Sequence, residues 1–237
     1  MRLAIISDIH SNIDALNQVL EDIKRRDIEQ VFCLGDLVGY NPFPNQVVKR
    51  IKEEGIKTVQ GNYDDAIANS RIVCGCDYKT EQAKKIGLNS IQFTNQEINE
   101  QNREFLKELP HQLEVETGDL KALLVHGSPR QLNEYLYADS QEVIEVAQDL
   151  KADLLLCGHT HLPYHKLIAG KHIINVGSVG KPKHGNPNAV YTIIEVHERK
   201  VKTEFIEVTY PVEKVATRIR ETGLADESIE LLKLGRA

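Results

Sequence analysis

The strongest constraint on the fold of this chain is a series of short, uniformly apolar runs, each ending abruptly in a polar residue or glycine. Leu3-Ala4-Ile5-Ile6, Val31-Phe32-Cys33-Leu34 and Thr58-Val59 fall in the first half; Ala122-Leu123-Leu124-Val125, Leu154-Leu155-Leu156-Cys157 and His172-Ile173-Ile174-Asn175-Val176 fall in the second. Runs this short, with no polar alternation, suit parallel strands buried on both faces. Between the first two, Ile13, Leu16, Leu20 and Ile23 recur at helical spacing behind Ser11 or Asn12, either of which can cap the helix. Val47, Val48 and Ile51 mark a second helix after the Pro42 and Pro44 turn. The order is β-α-β-α-β, with right-handed crossovers.

From about 74 to 110 the chain turns polar and helical, with Thr94 and Glu97 as a capping box ahead of Ile98, Phe105, Leu106 and Leu109. It holds too few apolar residues for a core of its own. A helix carrying Val143, Ile144, Ala147 and Leu150 precedes the Leu154 run, and Val190 to Val208 reads as a hairpin turning near Glu198-Arg199-Lys200. The expectation is one α/β domain over 1–237, with a helical excursion at about 74–110 and a C-terminal helical tail at about 211–237.

Composition excludes several classes. Hydrophobic residues at 41% and charged residues at 27% are globular values, not those of a disordered chain. A net charge of −6 argues against sequence-independent nucleic-acid binding, which needs basic stripes. No apolar run approaches the ~20 residues of a membrane span. The start turns polar at Ser7-Asp8, too soon for a secretory signal, and the four cysteines show neither zinc-type pairing nor disulfide density, so a cytoplasmic home is expected. Cys74-Gly75-Cys76 reads as inert, its two thiols too close in sequence for an easy disulfide. Leu231, Leu232 and Leu234 suit core packing or a homo-oligomer contact rather than a membrane.

The polar residues that matter all follow strands. Asp8 and His10 follow the first, Gly35-Asp36 the second, Gly61-Asn62 the third, His126-Gly127 the fourth, and Gly158-His159-Thr160-His161 the fifth. In a parallel sheet these positions converge on the carboxyl edge, where open α/β sheets place their sites. Asp8, His10, Asp36, Asn62, His126, His159 and His161 would then surround one cleft. These are oxygen and imidazole donors with no thiolate, a set suited to borderline divalent metals. Seven ligands are too many for one ion, whereas two ions about 3.5–4 Å apart would use them all, with Asp36 as the bridge. Other readings compete. Asp8 could cap the next helix, Asn62 could be a turn residue, and His111, His165, His172 and His197 read as packed or surface residues.

The five blocks Asp8-Ile9-His10, Gly35-Asp36, Gly61-Asn62, Val125-His126-Gly127 and Gly158-His159-Thr160-His161 resemble those of the calcineurin-like metallophosphoesterases. Asn175-Val176-Gly177-Ser178-Val179-Gly180 resembles a further segment of the small bacterial and archaeal branch. The resemblance implies a two-sheet α/β sandwich flanked by helices. It implies Asp8, His10, Asp36 and His161 on one metal, and Asp36, Asn62, His126 and His159 on the other. The cofactors would be two divalent transition-metal ions, manganese first, with iron, zinc or nickel as alternatives. They would lower the pKa of a shared water so that hydroxide attacks phosphorus in line, with Asn62 helping to absorb charge. A phosphate-containing small molecule is the expected substrate. Asn12 is a substrate contact that the resemblance suggests, and Asn62, Tyr63 and Asp64 are the expected catalytic group. Lys181, Lys183 and His184, which follow the Gly177–Gly180 loop, read from the residues as an anion-binding rim for substrate or equally as a solvated turn.

One position departs from the family pattern. The third block usually reads Gly-Asn-His-Asp or Gly-Asn-His-Glu, its His assisting the leaving group, and here it reads Gly61-Asn62-Tyr63-Asp64. Tyrosine, with a reference pKa near 10, donates a hydrogen bond but shuttles protons poorly at neutral pH. Phosphodiesters and nucleotide-type phosphoanhydrides, whose leaving oxygens carry charge readily, are therefore favoured over alkyl monoesters. A serine/threonine-type protein phosphatase and a non-catalytic scaffold on the same fold are the alternative readings.

Overall fold

The structure is a computed structural model that describes residues 1–236; Ala237, the last residue of the expected tail, lies outside the described residues. The first half runs β1 (Arg2–Ile6), α1 (Ile13–Lys24), β2 (Gln30–Cys33), α2 (Pro44–Glu53), β3 (Lys57–Thr58) and α3 (Asn62–Ala68). Asn12 caps α1, its Oδ1 accepting from the Ala15 N–H at 3.1 Å, while Leu16, Val19, Leu20 and Ile23 form the buried stripe. Pro44 opens α2, where its missing N–H has no helical partner to lose.

Helices α4 (Glu81–Glu97) and α5 (Glu100–Glu108) make up the excursion. The expected capping box at Thr94 is not there. Thr94 lies inside α4, and its Oγ1 donates back to the Ser90 carbonyl at 2.8 Å, a bond open to any helical threonine. The break comes at Ile98, which turns extended and buries its side chain, and Asn99 caps α5 through the Asn102 N–H at 2.9 Å. Ile86 is buried, while Ile91, Phe93, Ile98 and Leu106 join the same apolar cluster as α1 and α2.

The second half runs β4 (Gln112–Thr117), β5 (Leu120–Val125), α6 (Gln141–Asp149), β6 (Leu154–Cys157), β7 (Tyr164–Ile168), β8 (Lys171–Asn175), β9 (Ala189–His197), β10 (Lys200–Val208), α7 (Val212–Arg220) and α8 (Glu227–Leu234). The strands form two five-stranded sheets, in the orders β10-β9-β1-β2-β3 and β4-β5-β6-β8-β7. Within them β1-β2-β3 and β5-β6-β8 pair in parallel; β9 and β10 extend the first sheet antiparallel on one side, and β4 and β7 flank the second antiparallel on both.

The period of two along each strand explains the unbroken apolar runs. Leu3 and Ile5 of β1 point between the sheets, meeting Leu124, Leu154 and Leu156, while Ala4 and Ile6 point outward under the helices. Leu155 and Cys157 of β6 likewise face α6, opposite to Leu154 and Leu156. Each fully buried Leu or Ile contributes about 1.5–3 kcal/mol by leaving water, so both faces of the central strands are fixed. The result is the expected sandwich of two sheets flanked by helices, with the parallel strands of both sheets ending at one edge.

Candidate metal centre

That edge is assembled by turns crossing between strand ends. The Asp8 N–H donates to the Gly35 carbonyl at 3.0 Å and the His10 N–H to the Asp36 carbonyl at 2.9 Å, which locks the β1 and β2 turns together. Gly61 lies against this turn so closely that a Cβ there would stand 2.1 Å from the Asp36 nitrogen. The second sheet is tied in by the Gly158 N–H on the His126 carbonyl, 2.8 Å, and by the segment after β8. There the Asn175 amide donates to the Gly158 carbonyl at 2.6 Å, and Ser178 Oγ donates to the Asp8 carbonyl at 2.8 Å.

Two buried triads result: Asp8, His10 and His161, and Asp36, His126 and His159, each with its donor atoms within 4.8 Å of one another. Asp36 faces both. Its Oδ2 lies 3.4 Å from His126 Nε2 and 3.7 Å from His10 Nε2. Asn62 Oδ1 lies 2.9 Å from His126 Nε2 and completes the second group. All seven expected ligands are thus brought together.

The donor chemistry fits cations. Each imidazole is held through one ring nitrogen by a backbone carbonyl: His10 Nδ1 on Val38, His126 Nδ1 on Leu34, His161 Nδ1 on Lys181 and His159 Nε2 on Asn133, at 2.5–3.1 Å. Donation there fixes the tautomer and leaves the other nitrogen directed at the triad. Asp8 Oδ2 accepts from Ser7 Oγ at 2.6 Å and from the His159 N–H at 3.1 Å, whereas the buried Oδ1, 3.2 Å from His161 Nε2, has no hydrogen-bond partner. A buried carboxylate oxygen without a donor is costly, and a divalent cation satisfies it. Asp8 therefore serves the cluster; the cap of α1 is Asn12.

Charge is distributed to match. Burial would raise Asp8, but His161, with His126 and His10, holds it well below the usual carboxylate range. Burial pushes His10 and His159 well below the ordinary imidazole range, and burial with the nearby Lys183 charge takes His161 down to about 4. These three are neutral at pH 7, the form that coordinates metal. His126 differs: burial opposes its charge, but Asp36 and Asp8 outweigh that and raise it to about 9.

The triads open into a cavity of about 310 Å³ lined by Tyr40, Tyr63, Tyr78, Tyr135, Lys181 and Lys183 among others. Tyr63 is 1% exposed, packs edge-on against His10 with ring centres 5.3 Å apart, and places its hydroxyl 3.3 Å from that of Tyr78. Burial drives its pKa far above the ordinary value, so the phenol stays protonated. Gly39 makes room for it; with φ at +96°, a Cβ there would stand 2.4 Å from the Tyr63 ring.

Two expected site residues fall elsewhere. Asp64 does not line the cavity: its Oδ1 accepts from the Leu37 and Val38 N–H groups at 2.9 and 3.4 Å, and its Oδ2 from the Gly61 N–H at 2.9 Å. Three residues into α3, its carboxylate folds back onto the helix start, so it positions the Asp36 turn and touches no reacting group. Asn12 is fully buried, its Oδ1 engaged in the α1 cap and its amide donating to the Gly180 carbonyl at 3.2 Å. The cysteine pair, by contrast, is closer to the site than expected: both thiols are free, and the Asn62 amide donates to the Cys74 carbonyl and to Cys76 Sγ. Asn133 and Tyr135, which hold His159, sit in a loop with no periodic signal, so the sequence does not mark them.

A family model described as the calcineurin-like phosphoesterase superfamily domain matches residues 1–199. An uncharacterised protein of Methanocaldococcus jannaschii is 34% identical over 252 aligned positions, covering 99% of this chain and 98% of that protein. A metallophosphoesterase structure from Sphaerobacter thermophilus is similar with a TM-score of 0.80 and 28% identity, covering 99% of both chains. A hypothetical protein structure from Pyrococcus horikoshii is similar with a TM-score of 0.85 and 25% identity, covering 100% of this chain and 99% of that one. With the family match running from the first residue through β9, and two histidine–carboxylate triads at its centre, the chain belongs to the calcineurin-like phosphoesterase superfamily.

Proposed function

We propose that this protein is a dinuclear metal-dependent phosphohydrolase that cleaves phosphodiesters or nucleotide-type phosphoanhydrides in preference to alkyl monoesters. The observation that carries the reading is the position of Asp36, whose one carboxylate faces an imidazole of each triad. In this reading Asp8, His10, Asp36 and His161 hold one cation, and Asp36, Asn62, His126 and His159 the other. The donors are oxygen and imidazole nitrogen without thiolate, which suits borderline divalent ions such as manganese, iron or zinc; manganese is the ion to test first. Two divalent cations supply Lewis-acid charge to a phosphoryl group and make water acidic enough to ionise at neutral pH.

The chain's own side chains do the rest. Lys181 and Lys183 line the cavity beside the triads, where burial lowers both amines, Lys181 to about 7, so that an anionic phosphate arriving there would draw their protonated form. Both are free to balance non-bridging phosphate oxygens. Tyr63 reaches the same space and, held protonated, offers a hydrogen bond without giving up its proton. Without a proton donor, leaving groups stable as anions depart faster than alkoxides. Among the described residues no helix is long and apolar enough to cross a membrane.

The test is metal analysis coupled to a substrate panel. About two metal equivalents per chain are expected, with an aryl phosphodiester or dinucleoside polyphosphate turned over faster than glycerol phosphate. Asp36→Asn should lose metal and turnover together. Protein that binds no transition metal, or that hydrolyses none of these substrates when loaded, refutes the proposal.

A further inference from the structure

The cavity wall beyond the triads is unusually aromatic for this chain. Aromatic residues make up 5% of the sequence and tryptophan is absent, yet Tyr40, Tyr63, Tyr78, Tyr135 and Tyr137, five of its eight tyrosines, line this one space. Two of them run outward in order from His159. Tyr135 packs against His159 with ring centres 4.1 Å apart, and its hydroxyl accepts from the Asp77 N–H at 3.4 Å, so it is held at both ends. Tyr137 stacks on Tyr135 with ring centres 5.7 Å apart and planes within 9°. Tyr137 is nonetheless 44% exposed, a large ring left partly uncovered where the cavity opens. Tyr78, brought over by the excursion, faces the same space, with Ile86 and Leu231 as apolar neighbours.

We infer that this wall is a subsite for a planar aromatic group on the substrate, and that the group is a nucleobase. The inference rests on the phosphohydrolase reading above, since it takes the phosphate end of the same ligand to lie at the triads. Charge and size select the occupant. Next to the triads the cavity carries the amines of Lys181 and Lys183, which burial holds below the ordinary lysine value, to about 7 at Lys181, and farther out it carries aromatic faces, so one end is built to balance an anion and the other to stack. A nucleotide has that polarity: an anionic phosphate, a polar sugar, a flat base. A volume of about 310 Å³ matches a site for one small ligand rather than for a folded partner. Every base offers a π-face to a tyrosine, so the subsite would favour nucleotides broadly over phosphates that lack a ring. Lys181, whose ammonium sits 4.4 Å from the centre of the Tyr40 ring, links the two ends.

Binding, independent of turnover, tests this. On the full-length, manganese-loaded protein, calorimetry compares adenosine monophosphate, ribose 5-phosphate, inorganic phosphate and phosphotyrosine. One base–aromatic stack should make the nucleotide bind about tenfold tighter than ribose 5-phosphate. The ratio should fall toward one in Tyr137→Ala, whose exposed ring is removed without opening the core, and also in Tyr78→Leu. Tyr137→Trp adds a spectroscopic signature, because it gives a chain without tryptophan a single indole, whose fluorescence the nucleotide should quench and ribose 5-phosphate should not. A nucleotide-to-sugar-phosphate ratio near one in the wild type, or a ratio unchanged in both variants, overturns the subsite. Phosphotyrosine binding tighter than the nucleotide overturns the nucleobase assignment in favour of an aryl phosphate. Failure of inorganic phosphate itself to bind removes the phosphohydrolase reading and the subsite with it, a result distinct from a bound phosphate without base preference.

Discussion

Replacing Tyr63 by histidine puts a titratable group where the chain now holds a phenol that cannot ionise. The ring is 1% exposed and lies against His10, and burial holds its proton far above neutral pH. An imidazole has an ordinary pKa near 6.5, and a placed general acid typically contributes 10²–10⁴ in rate. Beside His10, and with cations in both triads, the new imidazole would be held mostly neutral, so only a fraction of molecules carries the acid and the gain falls to or below the lower end of that range. The expected gain is about ten- to a hundredfold in kcat/KM for an alkyl monoester such as glycerol phosphate. For bis(p-nitrophenyl) phosphate, whose nitrophenolate departs without a proton, the change should stay within about threefold. The substitution loses the long contact to the Tyr78 hydroxyl at 3.3 Å and part of the ring volume packed on Gly39, a cost of about 1–3 kcal/mol. The assay is the pair of kcat/KM values across pH on manganese-loaded protein, with metal content measured on the same samples. The monoester rate should be highest at acid pH and fall as pH rises through the imidazole's lowered pKa, below about 6.5. Equal changes for both substrates, or an unchanged monoester rate at intact metal content, would refute the role given to Tyr63.

Four further outcomes are expected. Gly61→Ala drives a Cβ to 2.1 Å from the Asp36 nitrogen and 2.2 Å from its Oδ1, so elemental analysis of the folded variant should find well under the wild-type metal content. Removing both amines with Lys181→Ala/Lys183→Ala should raise KM for a phosphate-bearing substrate about a hundredfold or more while metal stoichiometry holds, since each charge-assisted contact is worth roughly 1.5–3 kcal/mol. Stripping metal should lower Tm: a site filled at a hundred times its Kd contributes about 2.7 kcal/mol, or roughly 5–11 °C for a chain of this size, and differential scanning calorimetry with and without chelator reads it. Leu156→Ala, at a fully buried position between the sheets, should cost about 2–5 kcal/mol in urea unfolding with no change in metal stoichiometry, separating stability from the site.

The parts of this fold that sequence reveals are those buried on both sides. β1, β6 and the Ala122–Val125 part of β5 read plainly because almost nothing on either face meets water, so no polar residue interrupts the run. β4 did not, because it is a sheet edge whose Gln112, Glu114 and Glu116 alternate outward, and β7 did not, because its Tyr164-His165-Lys166 start lacks an apolar run. The ligand set was legible for a related reason: a polar residue directly after a doubly buried strand stands at the sheet edge whatever its side chain does next. What position alone cannot fix is direction. Asp64 and Asn12 each lie within two residues of a ligand, yet both turn back to satisfy backbone groups, Asp64 at the start of α3 and Asn12 at the start of α1. Tyr135 and Asn133 have the opposite history: nothing in their neighbourhood repeats, and only the return of their loop to His159 gives them a place in the site.

The backbone at the ligands explains how so exact a cluster is held. Asp8, His10, Asp36, His159 and His161 all adopt left-handed φ values, between 47° and 63°, a region sparsely occupied by residues with a side chain. Such conformations cost of order 1–3 kcal/mol each and persist only where the surroundings over-determine them. Here the surroundings do: the Asp8, His10 and Gly180 N–H groups are bonded across strand ends to the Gly35, Asp36 and Asp8 carbonyls, and four carbonyls orient the four imidazoles. The sharp turns aim five side chains inward within a few residues of strands that the two cores hold rigid. Ligand directions are therefore set by hydrogen bonds belonging to the sandwich, so a cation's binding energy is not consumed in ordering them. The same rigidity leaves specificity to the one wall not built from strand ends, where Tyr78 arrives on the segment leading into the excursion and Tyr135 and Tyr137 on the loop after β5.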